Sequence, residues 1–129
     1  MIQFRLPWPS ARLSPNARLH WAQKAKAVKA ARKEARLSVL HQVYAADRAK
    51  TAGQRLRVSL EFIPKTAARR DLDNLIASCK GALDGIADAL AVDDSRFELS
   101  ARIGPKCPEG AYVSVTVESV NQTTTESKP

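Results

Sequence analysis

Cysteine and histidine are scarce in this chain, with two of each among 129 residues. Cys79 and Cys107 fit neither a zinc-ligand spacing nor a disulfide framework, so both read as buried or bystander thiols. His20 and His41 stand 21 residues apart with no cysteine or carboxylate at metal-site spacing, which gives each a structural or surface role. No apolar run approaches the roughly 20 residues that a bilayer span needs. The opening Met1-Ile2-Gln3-Phe4-Arg5 lacks the apolar core of a signal peptide. A cytoplasmic protein without a membrane partner is therefore expected. Internal repeats are missing as well.

Acid is also scarce, but only in one half. Residues 1–70 hold 16 Lys and Arg against 3 Asp and Glu, whereas residues 71–129 hold 5 against 10. The first stretch carries +13 and the second −5, for a net charge of +8. A surface so positive concentrates polyanions and speeds their arrival. Basic runs also serve solubility alone, yet an excess of this size in 70 residues points to nucleic acid. Charge does not separate a binding module from an enzyme.

What is present suits one domain with one core. Ile2, Phe4 and Leu6 alternate with polar residues as a first strand, ended by Pro7-Trp8-Pro9-Ser10. A long helix is expected from near Leu19 to Arg48, with Trp21, Ala25, Val28, Ala35, Val39 and Val43 as its core stripe. Lys24, Lys26, Lys29, Arg32, Lys33 and Arg36 spread over its other faces. Leu56, Val58, Leu60 and Phe62 alternate as a second strand, followed by the basic loop Pro64–Arg70, which reads as mobile without a ligand. A second helix is expected over Asp71–Leu90, with Leu72, Leu75, Ile76, Cys79, Leu83, Ile86 and Leu90 facing the core. Phe97, Leu99, Ala101 and Ile103 form a third strand, and Val113, Val115 and Val117 a fourth. The expected fold is α+β: a single domain over 1–120, with a mixed four-stranded sheet and two main helices in the order β-α-β-α-β-β. Residues 121–129 read as a disordered polar tail.

Two acidic clusters flank the second helix: Asp71-Leu72-Asp73-Asn74 before it and Asp93-Asp94 after it. Inside a helix, Asp71 and Asp73 point about 200° apart, so they converge only if Asp71 precedes the first turn. Each cluster alone also fits plainer roles, an N-cap and a turn. With Arg69 and Arg70 adjacent, the combination suggests more. Two like charges about 4 Å apart repel by about 4 kcal/mol at an effective dielectric of 20, so converging carboxylates need a cation. Magnesium takes a few carboxylates, waters and a phosphate oxygen, the arrangement of metal-dependent phosphodiester hydrolysis.

These residues also carry a family resemblance. Leu6-Pro7-Trp8-Pro9-Ser10, Arg70-Asp71-Leu72-Asp73-Asn74-Leu75, Leu83-Asp84-Gly85 and Asp93-Asp94 resemble, in that order, motifs of the RusA family of Holliday-junction resolvases. The likeness spans about residues 2–118. It implies a homodimer with one site per subunit that makes paired nicks in a four-way DNA junction, in recombination and repair. It also implies that Asp71, Asp73 and Asp94 bind Mg2+, with Mn2+ as a substitute ion and Asp93 adjacent. Lys65, Arg69 and Arg70 are the expected DNA-binding residues. The chain departs from the family at Ala77, where a catalytic lysine is common, and at Ser10, where a second proline is. On one continuous helix, Asp73, Ala77 and Lys80 share a face, and Lys80 can lean back toward the N-terminus. Lys80 is therefore the expected replacement for the missing ammonium, the alternative being a surface pair with Asp84. Two other functions fit the same residues: a non-catalytic branched-DNA-binding protein, and a metal nuclease acting on flaps, forks or RNA.

Overall fold

The computed structural model describes residues 1–120; the tail expected over 121–129 lies outside the described residues. Four strands follow the alternation of the sequence: β1 (Ile2–Pro7), β2 (Leu56–Ile63), β3 (Phe97–Ile103) and β4 (Tyr112–Ser119). They form one sheet in the order β1-β4-β2-β3. β4 runs antiparallel to both β1 and β2, while β2 and β3 are parallel, so the sheet is mixed. A parallel pair needs a crossover, and the helices between β2 and β3 supply it. The fold is the expected α+β domain.

One face of the sheet is the core. Phe4 and Leu6 of β1, Leu56, Val58, Leu60 and Phe62 of β2, and Val113, Val115 and Val117 of β4 are buried there. The opposite face carries Ser59, Glu61, Ser114 and Thr116, all half-buried, which line a shallow open depression. Among the described residues, no helix is long and apolar enough to cross a membrane.

Each long helix departs from the sequence expectation by a break. α1 spans Trp21–Gln42, and a separate short helix, α2, spans Ala45–Ala49. Between them Val43 is extended (φ −118°, ψ 128°) and its side chain drops into the core. The Gln42 amide satisfies β1 at the sheet edge: it accepts from the Arg5 N–H at 2.8 Å and donates to the Arg5 carbonyl at 2.8 Å. Leaving the helix here pairs an edge strand that has a neighbour on one side only.

The second helix divides into α3 (Leu72–Ser78) and α4 (Lys80–Leu90). Cys79 sits between them in the bridge region (φ −95°, ψ 4°), and its N–H bonds the Ile76 carbonyl at 3.0 Å. The Ser78 hydroxyl donates back to the Asn74 carbonyl at 2.8 Å, a contact that bends helices. Asp73, Ala77 and Lys80 therefore do not lie along one continuous helix. Burial pushes the Cys79 thiol up to about 12, as an inert core thiol requires.

α1 and α4 pack backbone to backbone through two glycines. A Cβ on Gly81 would come 2.8 Å from the Val28 carbonyl oxygen, and one on Gly85 2.1 Å from that of Arg32. Because α4 begins only at Lys80, it covers α1 from about Val28 onward. Ala35 and Val39 are buried, whereas Trp21 and Ala25, expected in the same core stripe, are exposed.

Candidate functional site

The chain turns into α3 through Asp71, which is extended (φ −92°, ψ 110°) and caps the helix. Its Oδ1 accepts the Asp73 N–H at 3.0 Å and the Asn74 N–H at 3.4 Å. Asp71 thus stands before the first turn, the one placement that lets Asp71 and Asp73 face the same side. Both are exposed. The capping role uses one oxygen of Asp71.

The second acidic cluster is placed by the end of α4. Ala91 adopts the left-handed conformation (φ 57°, ψ 43°), and the Val92 N–H reaches back to the Ala87 carbonyl at 3.1 Å. This is a Schellman-type stop, formed with alanine where glycine would be less strained. It delivers Asp93 as cap of a short 3-10 turn, Asp94–Arg96. The Asp93 Oδ1 accepts the Ser95 N–H at 3.0 Å, and this bond, with the Ser95 hydroxyl, holds the Asp93 carboxyl below the usual range.

Asp94 behaves in the opposite way. A hydrogen bond to the Asp84 carboxyl, then burial, then the Asp84 charge, with Asp93 adding to them, raises Asp94 above the usual carboxylate range. Two carboxyls from different elements thus face each other. Asp88, one turn further along α4, has its own cation: Arg32 Nε and Nη2 reach its oxygens at 2.7 and 2.9 Å, and this bond lowers Asp88.

Asp84 is the site residue that the sequence reading did not include. Its signal is the Leu83-Asp84-Gly85 motif, which reads as part of the resemblance and as a partner for Lys80, but the acid opposite it lies ten residues away across a turn. Because the folded chain keeps the Asp94 proton to higher pH than the unfolded chain does, stability falls as pH rises from the ordinary carboxylate range through the raised value. Asp84→Asn is expected to lower the Asp94 titration toward the ordinary carboxylate range and to reduce that fall, read by carbon-detected NMR of the side-chain carboxyls. An Asp94 titration unmoved by the substitution would assign the shift to burial and to Asp93.

Among the described residues, no three His, Cys, Asp or Glu side chains come together as a ligand group. Asp71 and Asp73 stand exposed at the start of α3, and Asp94 meets the half-buried Asp84 of α4. Such pairs fit magnesium by donor chemistry, since it commonly takes one or two carboxylates and completes its shell with water and phosphate oxygen. Lys80, the first residue of α4, is exposed and lines a small cleft with Ala77, Asp84 and Lys24.

In the basic loop, Lys65 and Arg69 are exposed. Arg70 holds the loop itself: its guanidinium donates to the Thr66 and Ala68 carbonyls at 3.0 and 2.6 Å and lies 5.5 Å from the Trp8 ring centre. The loop read as mobile is therefore pinned by one of its own cations.

No family model matches the chain. It is 37% identical over 129 residues to an uncharacterized protein of Xylella fastidiosa (strain Temecula1), covering 100% of this chain and 84% of that protein.

Proposed function

The chain belongs to one family with the Xylella fastidiosa protein, and from its own residues we propose that it is a magnesium-dependent endonuclease of the RusA type that resolves four-way DNA junctions. The observation that carries this reading is the Asp84–Asp94 pair, two facing carboxyls in a chain whose first 70 residues carry +13. Asp94 and Asp84 would hold an ion at the end of α4. Asp71 and Asp73, which form no group of three acids with them among the described residues, would offer carboxylates at the start of α3. Magnesium bound there supplies neutralisation of phosphate charge and activation of water. Lys65 and Arg69 hold flanking phosphates, Arg70 shapes the loop that presents them, and Lys80 steadies negative charge as the phosphodiester is cleaved. The protein acts as a homodimer, whose two-fold symmetry matches paired strands. Self-association is supported by edge strand β3, where Leu99 and Ile103 are 42% and 40% exposed beside unpaired backbone groups.

The test is a labelled mobile junction with and without magnesium. With the ion, nicks are expected on two opposing strands while linear duplex stays mostly intact. Equal turnover of linear duplex and junction would remove the resolvase reading. Junction binding without any cleavage would leave a branched-DNA-binding protein, the reading that Ala77 favours.

Neutralising Lys65, Arg69 and Arg70 together should weaken binding across DNA sequences and flatten its salt dependence. The log–log slope is expected to change by roughly 2–3 units, at about 0.9 per phosphate contact. Lys65 and Arg69 should account for most of the change, because Arg70 is engaged by its own loop. An unchanged slope would place the DNA on another surface.

A further inference from the structure

Trp21 opens α1 with 76% of its surface exposed. Its ring lies 5.6 Å from that of His20, tilted by 32°, and His20 is itself held in place by accepting the Ala22 N–H on Nδ1 at 3.2 Å. A large aromatic ring is thus presented to solvent on an anchored support. Trp21, Ala25 and Val28 form one wall of an open groove of about 710 Å³, whose other lining residues are Lys24, Lys29, Arg32 and Asp84.

The charges choose the occupant. Lys24, Lys29 and Arg32 border the apolar wall beside Asp84. Arg32 is engaged by Asp88 and the Lys24 ammonium by the Ser14 carbonyl, so Lys29 is the cation foremost available, which suits a flat aromatic ligand that carries negative charge beside it. A nucleotide has both parts, whereas an apolar protein surface has no use for the cations. The groove also touches the acidic site, since its lining includes Asp84, the partner of Asp94. Trp21 and Arg32 are 11 residues apart on α1, about 16 Å along the axis at 1.5 Å per residue. That is about five stacked nucleotides at 3.4 Å each. Paired bases inside a duplex offer no free face, so the ligand is a base that stands out of its pairing.

We propose that Trp21 is a stacking platform for an unpaired nucleobase, and that the groove between Trp21 and Asp84 seats single-stranded nucleic acid leading to the acidic pair. The inference rests on nucleic acid as the ligand of the acidic site and names the part of the substrate that is recognised. Aromatic stacking tolerates any base, so the platform adds affinity for unpaired structure without sequence preference.

The experiment measures fluorescence anisotropy of a short labelled oligothymidylate and of a blunt duplex of equal length, without magnesium, on the full chain and on Trp21→Ala and Trp21→Phe. The alanine variant should bind the oligothymidylate about 5- to 150-fold more weakly, the worth of one base–aromatic contact. The phenylalanine variant should recover most of that loss, and duplex affinity should not move. Equal losses on both ligands, no loss on either, or no binding of the oligothymidylate by the parent chain would overturn the proposal. So would a change of sedimenting mass in Trp21→Ala, which would make Trp21 a protein contact. If the parent chain binds oligothymidylate through Trp21 yet cuts no junction, the endonuclease reading falls and the platform stands. If it cuts junctions while Trp21→Ala binds oligothymidylate normally, the platform alone falls.

Discussion

Replacing Asp73 or Asp94 with asparagine is expected to abolish magnesium-dependent cleavage of a four-way junction and to leave junction binding intact or tighter. Each carboxylate repels backbone phosphate when no cation lies between them, so removing its charge favours the DNA complex while removing a ligand for the ion. The loss should exceed the about 10²–10³ that a single transition-state donor supplies, because among the described residues no third acid joins either set to take over from a lost carboxylate. Asp94 has the sharper geometry of the two, since its carboxyl already meets Asp84. Cleavage assays at saturating DNA, with gel-shift affinities measured without magnesium, separate the two effects. If both variants cut at the parental rate, the metal assignment is wrong.

Lys80→Ala should slow cleavage by about 10²–10³ at saturating DNA, the cost of one lost transition-state contact, with junction affinity little changed. The surface pair with Asp84 was the competing role for this lysine. In the structure the Asp84 carboxyl meets Asp94, and no ion pair joins Lys80 to Asp84 among the described residues. Its ammonium is therefore available to the cleft that Ala77 and Asp84 also line. The break at Cys79 places Ala77 on α3 and Lys80 on α4, so the two positions approach the cleft from separate helices. Adding Ala77→Lys to Lys80→Ala should restore much of the rate, because the side chain enters the same cleft. Normal cleavage by Lys80→Ala would leave it a surface lysine.

The sequence by itself determined the strands and the composition of the core. Alternation of apolar and polar residues is local and follows from the geometry of extended backbone, so Ile2, Phe4 and Leu6, or Val113, Val115 and Val117, announce their shared face without knowledge of their partners. The conformation of Asp71 was legible for the same reason, since a capping aspartate acts on N–H groups two and three residues ahead. Only the tertiary structure decided which strands are neighbours, because β1 meets β4 across more than a hundred residues. It also decided where the helical stripes stop. The 3.6-residue period continues through Val43, but Gln42 finds the edge of β1 and the chain leaves the helix. The same period counts Trp21 with Ala35 and Val39, yet α4 begins at Lys80 and its close glycine contacts reach only as far as Val28. Asp84 and Asp94 face each other for a similarly non-local reason: α4 ends in a left-handed residue that turns the chain back toward its own side. Spacing reports which side of an element a residue occupies, whereas burial and electrostatic partnership depend on what another element places opposite it.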